Sequence, residues 1–325
     1  MRITHGTASI VSQPSAVTIG NFDGVHLGHR AMLRQLVDTA RQRGLVPCAV
    51  TFEPHPREFF APDKAPARLS SLREKLQMLR ECGIAHVHIC AFNLAFSQLA
   101  AEVFIERILV SGLQARYLLI GDDFRFGARR VGDFALLQAR GAQEGFEVAA
   151  MNSVTLDELR ISSTAVREAL AAGDLDLAGR LLGRPYSISG RVVDGDKLGR
   201  EIGFPTANIQ LKHNRPPLTG IFVVQVRGLT DTPLPGVASL GVRPTVKENG
   251  RPVLEVHLLD FDRSIYGQHV CVDFLARLRD EERYPDLPTL IHQIGRDVNS
   301  AKQYFLNHSE SPPAANTKCL IIKTP

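Results

Sequence analysis

Cysteine is scarce in this chain of 325 residues: there are five, an odd number, with no Cys-x-x-Cys pair among them. That argues against a disulfide framework and fits a reducing compartment with free thiols. Long apolar runs are missing as well, and none reaches the length that spans a bilayer. The opening Met1-Arg2-Ile3-Thr4-His5-Gly6 lacks a charged-then-apolar leader, so a cytoplasmic setting is expected. Charge of one sign does not dominate: the net charge is +4, and no basic run or nucleic-acid-binding motif occurs. A nucleic-acid partner is therefore not expected, whereas anionic small molecules such as nucleotides suit the balance. There is no internal repeat. What remains is ordinary globular composition, 44% hydrophobic and 22% charged, over a length that predicts two domains.

The first half alternates strand and helix patterns. Strands are expected at Ala16–Ile19, Pro47–Phe52, Val87–Ala91, Tyr117–Ile120 and Phe146–Met151. Helices are expected between them: Leu27–Gln42, Ser71–Glu81 capped by Ser70 or Ser71, Ala101–Leu109 capped by Ser97, and Asp133–Arg140. This alternation predicts a parallel sheet covered on both faces, with ligands bound beyond the carboxyl ends of its strands. Two further helical stretches, Ser163–Ala172 and Leu175–Leu182, close this half. From Tyr186 the texture changes to six short apolar runs separated by glycine and proline, which predicts an antiparallel sheet or barrel. Ile291–Phe305 reads as a terminal helix. The expected division is 1–183, 184–307 and a disordered tail at 308–325, with the boundary near Gly183-Arg184-Pro185.

Three segments carry chemistry. The first is Gly20-Asn21-Phe22-Asp23-Gly24-Val25-His26-Leu27-Gly28-His29, an apolar strand end, a turn and a helix start. Helix N-termini favour phosphate, two imidazoles there can donate to phosphate oxygens, and Gly28 lets a ligand approach. A surface histidine pair or a partial metal site is the plainer alternative. The second is Arg160-Ile161-Ser162-Ser163-Thr164-Ala165-Val166-Arg167. Its hydroxyls can cap a helix or hold phosphate, and Arg167 adds a fork of donors one turn on.

The third segment runs from Asp194 to Asn208. Gly195, Gly199 and Gly203 are spaced along it with Lys197 and Arg200 between them, as in a loop that offers backbone donors and charge to ATP phosphates. It is not a Walker A loop, because no Gly-Lys-Ser/Thr falls at the right spacing. Thr206 and Asn208 are two apart, so on a strand they share a face and can offer neutral oxygen to a hard cation such as magnesium. In Val253-Leu254-Glu255-Val256-His257-Leu258-Leu259, alternation puts Leu254, Val256 and Leu258 on one face and Glu255 and His257 on the other. A solvated strand face is the plain account of that pair.

Together these segments resemble the bacterial bifunctional riboflavin kinase/FAD synthetase (FMN adenylyltransferase) family. The resemblance spans about residues 15–305 and rests on His26-Leu27-Gly28-His29, Gly121-Asp122-Asp123-Phe124-Arg125-Phe126-Gly127, Ile161-Ser162-Ser163-Thr164 with Arg167, and Gly203-Phe204-Pro205-Thr206-Ala207-Asn208. Gly236–Thr245 and Phe274–Glu281 resemble later blocks, with Ser239 where the family often has asparagine. It implies a Rossmann-like nucleotidyltransferase domain, then a small antiparallel β-barrel kinase domain and a C-terminal helix. It implies phosphorylation of riboflavin to FMN and adenylylation of FMN to FAD, both with ATP and Mg2+.

Carried onto this chain, catalysis falls to His26, His29, Arg167 and Glu255, the last as kinase base. ATP for adenylyl transfer would meet Gly20, Phe22, Asp23, Gly28, Asp123, Ser162, Ser163 and Thr164. His55, in Thr51-Phe52-Glu53-Pro54-His55-Pro56, would lie near the FMN phosphate, with Glu53 where the family has aspartate. ATP for the kinase would meet Gly195, Lys197, Gly199, Arg200, Gly203, Thr206 and Asn208, with Thr206 and Asn208 at the metal. Other readings keep only one activity, or make the chain a non-catalytic flavin- or nucleotide-binding regulator; the histidines and Thr206-Ala207-Asn208 argue against the last. The expected partners are small-molecule flavins and ATP, with no membrane; self-association stays open.

Overall fold

The computed structural model describes residues 1–6, 12–121, 123–195, 198–212, 215–242 and 252–308. Lys197, Arg243–Thr245 of the later block and the expected tail beyond His308 lie outside them. By contacts the chain forms two compact units, one of Met1–Pro66 with Leu72–Ser162 and one of Ala67–Ser71 with Ser163 onward.

The first unit is a six-stranded parallel sheet. Its elements are β1 (Arg2–His5), β2 (Ser15–Ile19), α1 (Leu27–Arg43), β3 (Val46–Glu53), α2 (Pro56–Phe60), α3 (Leu72–Glu81), β4 (His86–Ala91), α4 (Leu94–Ser97), α5 (Ala101–Phe104), β5 (Ala115–Gly121), α6 (Phe134–Glu144), β6 (Glu147–Met151) and a small hairpin, β7 (Thr155–Leu156) with β8 (Leu159–Arg160). The strand order is β1-β4-β3-β2-β5-β6. Alternation along the buried strands sends Val17, Ile19, Leu118 and Ile120 into one core and Ala16, Tyr117 and Leu119 into the other. Strand order reverses between β2 and β5, so a ligand crevice is expected beyond their carboxyl ends. The loop Gly20–His26 follows β2, and Asp123 follows β5.

The short elements α2, α4 and the β7–β8 hairpin were not expected, and other details differ from the sequence reading. β1 was not expected; it is short, three of its four residues are polar, and it joins as an edge strand parallel to β4. Thr4 there shares its hydroxyl with His86 and His88 (2.7 and 2.9 Å), both buried. Ser97 does not cap the following helix: it ends α4, its hydroxyl donates to the Leu94 carbonyl, and Ala100 occupies the cap position without a side-chain bond. The expected helix Ala101–Leu109 is α-helical only to Phe104, and Ile105–Gly112 continues as a π-helix.

The second unit opens with α7 (Ser163–Ala171) and α8 (Leu175–Leu182) and continues with β9 (Tyr186–Val193), α9 (Leu198–Glu201), β10 (Ala207–Ile209), β11 (Gly220–Arg227), β12 (Leu234–Val242), β13 (Pro252–Leu258), β14 (His269–Arg279) and α10 (Leu287–Asn307). The strands close into an antiparallel barrel in the order β10-β13-β12-β11-β14-β9. The expected alternation on β13 holds: Leu254, Val256 and Leu258 are buried, while Glu255 and His257 are half-buried on the other face. α10 begins one turn earlier than expected because Asp286 caps it, accepting from the Thr289 N–H, with proline in the first turn. Ala301, Val298, Tyr304 and Phe305 pack it onto Ile221, Val223 and Val237 of the barrel. α8 packs on β9 and β14.

Candidate active sites

The first candidate site is the loop from β2 into α1. His26 is the N-cap of α1, and its Nδ1 accepts the His29 N–H at 3.3 Å. A neutral His26 then carries its proton on Nε2, which makes that nitrogen a donor. The two imidazoles stack, with centroids 3.6 Å apart and planes 17° apart. The shared face expected from their spacing is therefore present. A methyl group on Gly28 would sit 3.2 Å from the His26 ring and 3.4 Å from the Ile161 carbonyl, so this glycine makes room for the histidine itself. Phe22 and Val25 adopt positive φ (48° and 39°), and both side chains are buried. The Phe22 ring meets the His29 edge at 5.2 Å and covers Gly20, so it supports the pair from the core side. Asp23 is buried in the same loop.

Burial pushes the His29 pKa well below its ordinary value, and the neighbouring His26 and Lys75 push it the same way. His29 is therefore neutral near neutral pH. Its Nδ1 and the Asn21 Oδ1 are buried with no hydrogen-bond partner among the described residues. Polar atoms left so are costly in a resting protein and suit a site that a ligand completes.

Other expected residues have visible local roles. Asp123 pairs with Arg160 at 2.8 Å on the surface. His55 caps α2, accepting the Arg57 N–H at 3.1 Å in a capping box with Glu58. Ser162 precedes α7, and Ser163 and Thr164 begin it; Thr164 is exposed. The Arg167 guanidinium donates to the Ala67 carbonyl at 2.6 Å.

Sequence reasoning missed a run of phenylalanines beyond the strand ends. Phe52, Phe59, Phe60, Phe92, Phe96, Phe104, Phe124 and Phe126 form a chain of ring contacts with centroids 5.3–6.3 Å apart. Phe60 remains 66% exposed. The signal was 16 phenylalanines in a chain without tryptophan, several of them just after expected strands.

The second candidate site lies in the barrel unit. Asn208 on β10 pairs directly with Glu255 on β13, which pairs with Ser239 on β12. Thr206, Asn208, Ser239 and Glu255 line one cavity of about 420 Å³ with Phe204, His257, Glu281 and Tyr284; Ile221, Val237, Leu290 and Ile294 supply its apolar wall. A second cavity of about 390 Å³ is lined by Arg200, Pro205, Thr206, Ala207 and the segment Phe261–Tyr266. Thr206 borders both.

The glycines explain the fit. A Cβ at Gly195 would fall 2.1 Å from the Asn208 amide nitrogen, and one at Gly199 would fall 2.5 Å from the Phe204 carbonyl oxygen and 3.2 Å from Thr206 Oγ1. The loop thus lies directly on the two residues expected to face a metal. Gly203 takes φ +87°, a left-handed conformation. The His257 ring and the Pro205 carbonyl are 2.9 Å apart, a bond that supports the loop.

Arg279 and Asp297 form a bidentate pair across the cavity wall, with Nη2 2.7 Å and Nε 3.0 Å from the carboxylate. Gln293 adds a bond to the same carboxylate. No cluster of metal-binding His, Cys, Asp or Glu side chains occurs among the described residues. Thr206 and Asn208 with Glu255 alongside are instead an oxygen set of mostly neutral donors. That chemistry fits a cation carried in with phosphate oxygens. Among the described residues no helix is long and apolar enough to cross a membrane.

Residues 9–165 match the FAD synthetase family model and residues 182–305 match that of riboflavin kinase. The chain is 49% identical over 305 residues to the bifunctional riboflavin kinase/FMN adenylyltransferase of Escherichia coli (strain K12), covering 94% of this chain and 97% of that one. It is 51% identical over 285 residues to the protein of the same name from Pseudomonas fluorescens, covering 88% and 91%. A solved structure titled as a macrolide-efflux protein from Streptococcus pneumoniae superposes with a TM-score of 0.79 at 27% identity, covering 93% of this chain and 99% of that chain.

Proposed function

The chain belongs to the bifunctional riboflavin kinase/FMN adenylyltransferase family, and from that premise we propose which residues carry each reaction. The protein phosphorylates riboflavin to FMN and joins FMN to the AMP of ATP, giving FAD and pyrophosphate. We assign adenylyl transfer to residues 1–183 and the kinase step to 184–307, acting in the cytoplasm.

In the kinase step the riboflavin 5′-hydroxyl oxygen attacks the γ-phosphorus of ATP, the bond to the ADP oxygen breaks, and the hydroxyl proton leaves. Glu255 accepts that proton. The apolar cavity behind it takes the flavin ring, and the Phe261–Tyr266 side takes the nucleotide. Gly195, Gly199, Arg200 and Gly203 hold the phosphates with backbone donors and charge, as does Lys197 by resemblance. Thr206 and Asn208 would hold Mg2+, which when bound offsets charge on the phosphate oxygens. The observation that carries this assignment is the cross-strand pair Asn208–Glu255 in one cavity, with Thr206 bordering a second.

In adenylyl transfer an FMN phosphate oxygen attacks the α-phosphorus in line, and the bond to pyrophosphate breaks. Negative charge grows on the transferring group and on the leaving group. His26, through its Nε2–H, and His29 donate to it at the start of α1, where the backbone around Gly20 and Gly28 also meets the nucleotide. Asp123 lies at the sheet rim on the nucleotide side. Ser162, Ser163, Thr164 and Arg167 contribute donors of the kind phosphate takes, and His55 serves the FMN phosphate. The phenylalanine chain supplies a stacking surface for the flavin ring. Separate assays of FMN and FAD test the assignment: His29→Ala should remove FAD formation alone, and Glu255→Ala should remove riboflavin phosphorylation alone. Retained FMN formation in Glu255→Ala would refute its role as base.

A further inference from the structure

Lys75 is not among the residues assigned to either reaction. It lies on α3, and its side chain is buried at 3% exposure. Lysines are almost never fully buried unless the ammonium group finds partners. Its Nζ donates to the Thr51 hydroxyl at 3.4 Å, and Thr51 donates to the Asn21 carbonyl at 3.3 Å. Thr51 is on β3 and Asn21 is in the loop that leads to His26. The bonds therefore run from α3 through the sheet into the site.

We propose that Lys75 is a positioning residue of the adenylyl-transfer site: through Thr51 it braces the loop that delivers His26, and it places a fixed positive charge beside the His26–His29 pair. This rests on the reading of that pair as the adenylyl-transfer site. The charge has a definite consequence. The groups acting on His29 are its own burial, His26 from the loop before α1, and Lys75 from α3, with Asp23 buried in the same loop. Both neighbours oppose a proton on His29, and of the two Lys75 carries the standing positive charge. A neutral imidazole keeps one nitrogen able to donate and one able to accept, and stacked neutral rings at 3.6 Å avoid like-charge repulsion. The bracing has a second consequence. Phe22 and Val25 hold left-handed backbone, so the loop needs outside support to stay in place.

The test compares full-length variants by FAD formation from FMN and ATP across pH, with riboflavin phosphorylation as the control. Lys75→Met should lower kcat for FAD formation by about 10- to 100-fold and move the acid limb of its pH profile upward. Riboflavin phosphorylation should stay unchanged. Thr51→Val keeps the charge and removes only the relay, so it should lower kcat without moving the limb. It also decides the matter if Lys75→Met does not fold. Unchanged kcat and an unmoved limb in the folded variants would overturn the role of Lys75. His29→Ala separates this from the underlying reading: if that variant still makes FAD, the site itself is misassigned. If it makes none while Lys75→Met and Thr51→Val behave as wild type, only the Lys75 inference falls.

Discussion

In the parallel-sheet unit the candidate site hangs on loops beyond the strand ends, whereas in the barrel it lies along the strands themselves. The first places its groups through helix capping and left-handed turns: His26 caps α1, and Phe22 and Val25 bend the loop. The second places them through register: Asn208, Glu255 and Ser239 sit side by side on three neighbouring strands. A loop site concentrates its residues in one short segment and needs bracing. A register site scatters them along the chain and holds them by the ladder.

The largest separation between the two should come from Glu255→Ala. Riboflavin phosphorylation should fall by about 10³-fold or more, measured by FMN release, while FAD formation from supplied FMN continues. Next, His29→Ala should lower FAD formation by about 10²–10³-fold and leave phosphorylation intact. Gly195→Ala should act on the kinase alone, raising the apparent KM for ATP by about tenfold or more, because the added methyl would meet the Asn208 amide. A smaller effect is expected on stability. Asp297→Ala strips a largely buried Arg279 of its carboxylate and should cost the barrel unit roughly 3 kcal/mol in denaturant unfolding.

The smallest concerns pH and the sheet unit only. Burial holds His86 down to about 4, with His88 and Arg2 adding to it. The unfolded chain, near 6.5, then binds more protons between those values, so stability falls as pH drops from about 6.5 to about 4. Thermal unfolding of His86→Gln across that window should show a shallower fall than wild type.

The same contrast explains what the sequence revealed. His26-Leu27-Gly28-His29 is contiguous, and its strand–turn–helix context is readable from spacing alone. Glu255 by itself read as a solvated strand face; only the resemblance singled it out, because register with Asn208 is a long-range property. The fold class was legible since period-2 and helical patterns change at Tyr186. The edge strand β1 was not, being four residues long with three of them polar. Ser97 failed as a cap because Asn93 opens a separate short helix, accepting the Phe96 N–H. The phenylalanine chain draws on one strand, three short helices and two loops, so no local window contains it. Lys75 sits in an ordinary-looking charged helix, Leu72-Arg73-Glu74-Lys75, and only its burial sets it apart.

The most direct test of two separate sites is chromatography of the flavins made from riboflavin and magnesium-ATP by wild type, His29→Ala and Glu255→Ala. Wild type should yield FAD, His29→Ala should stop at FMN, and Glu255→Ala should leave riboflavin unconverted yet turn added FMN into FAD. FAD made from riboflavin by either variant at near the wild-type rate, or loss of both reactions through one substitution, would contradict the account.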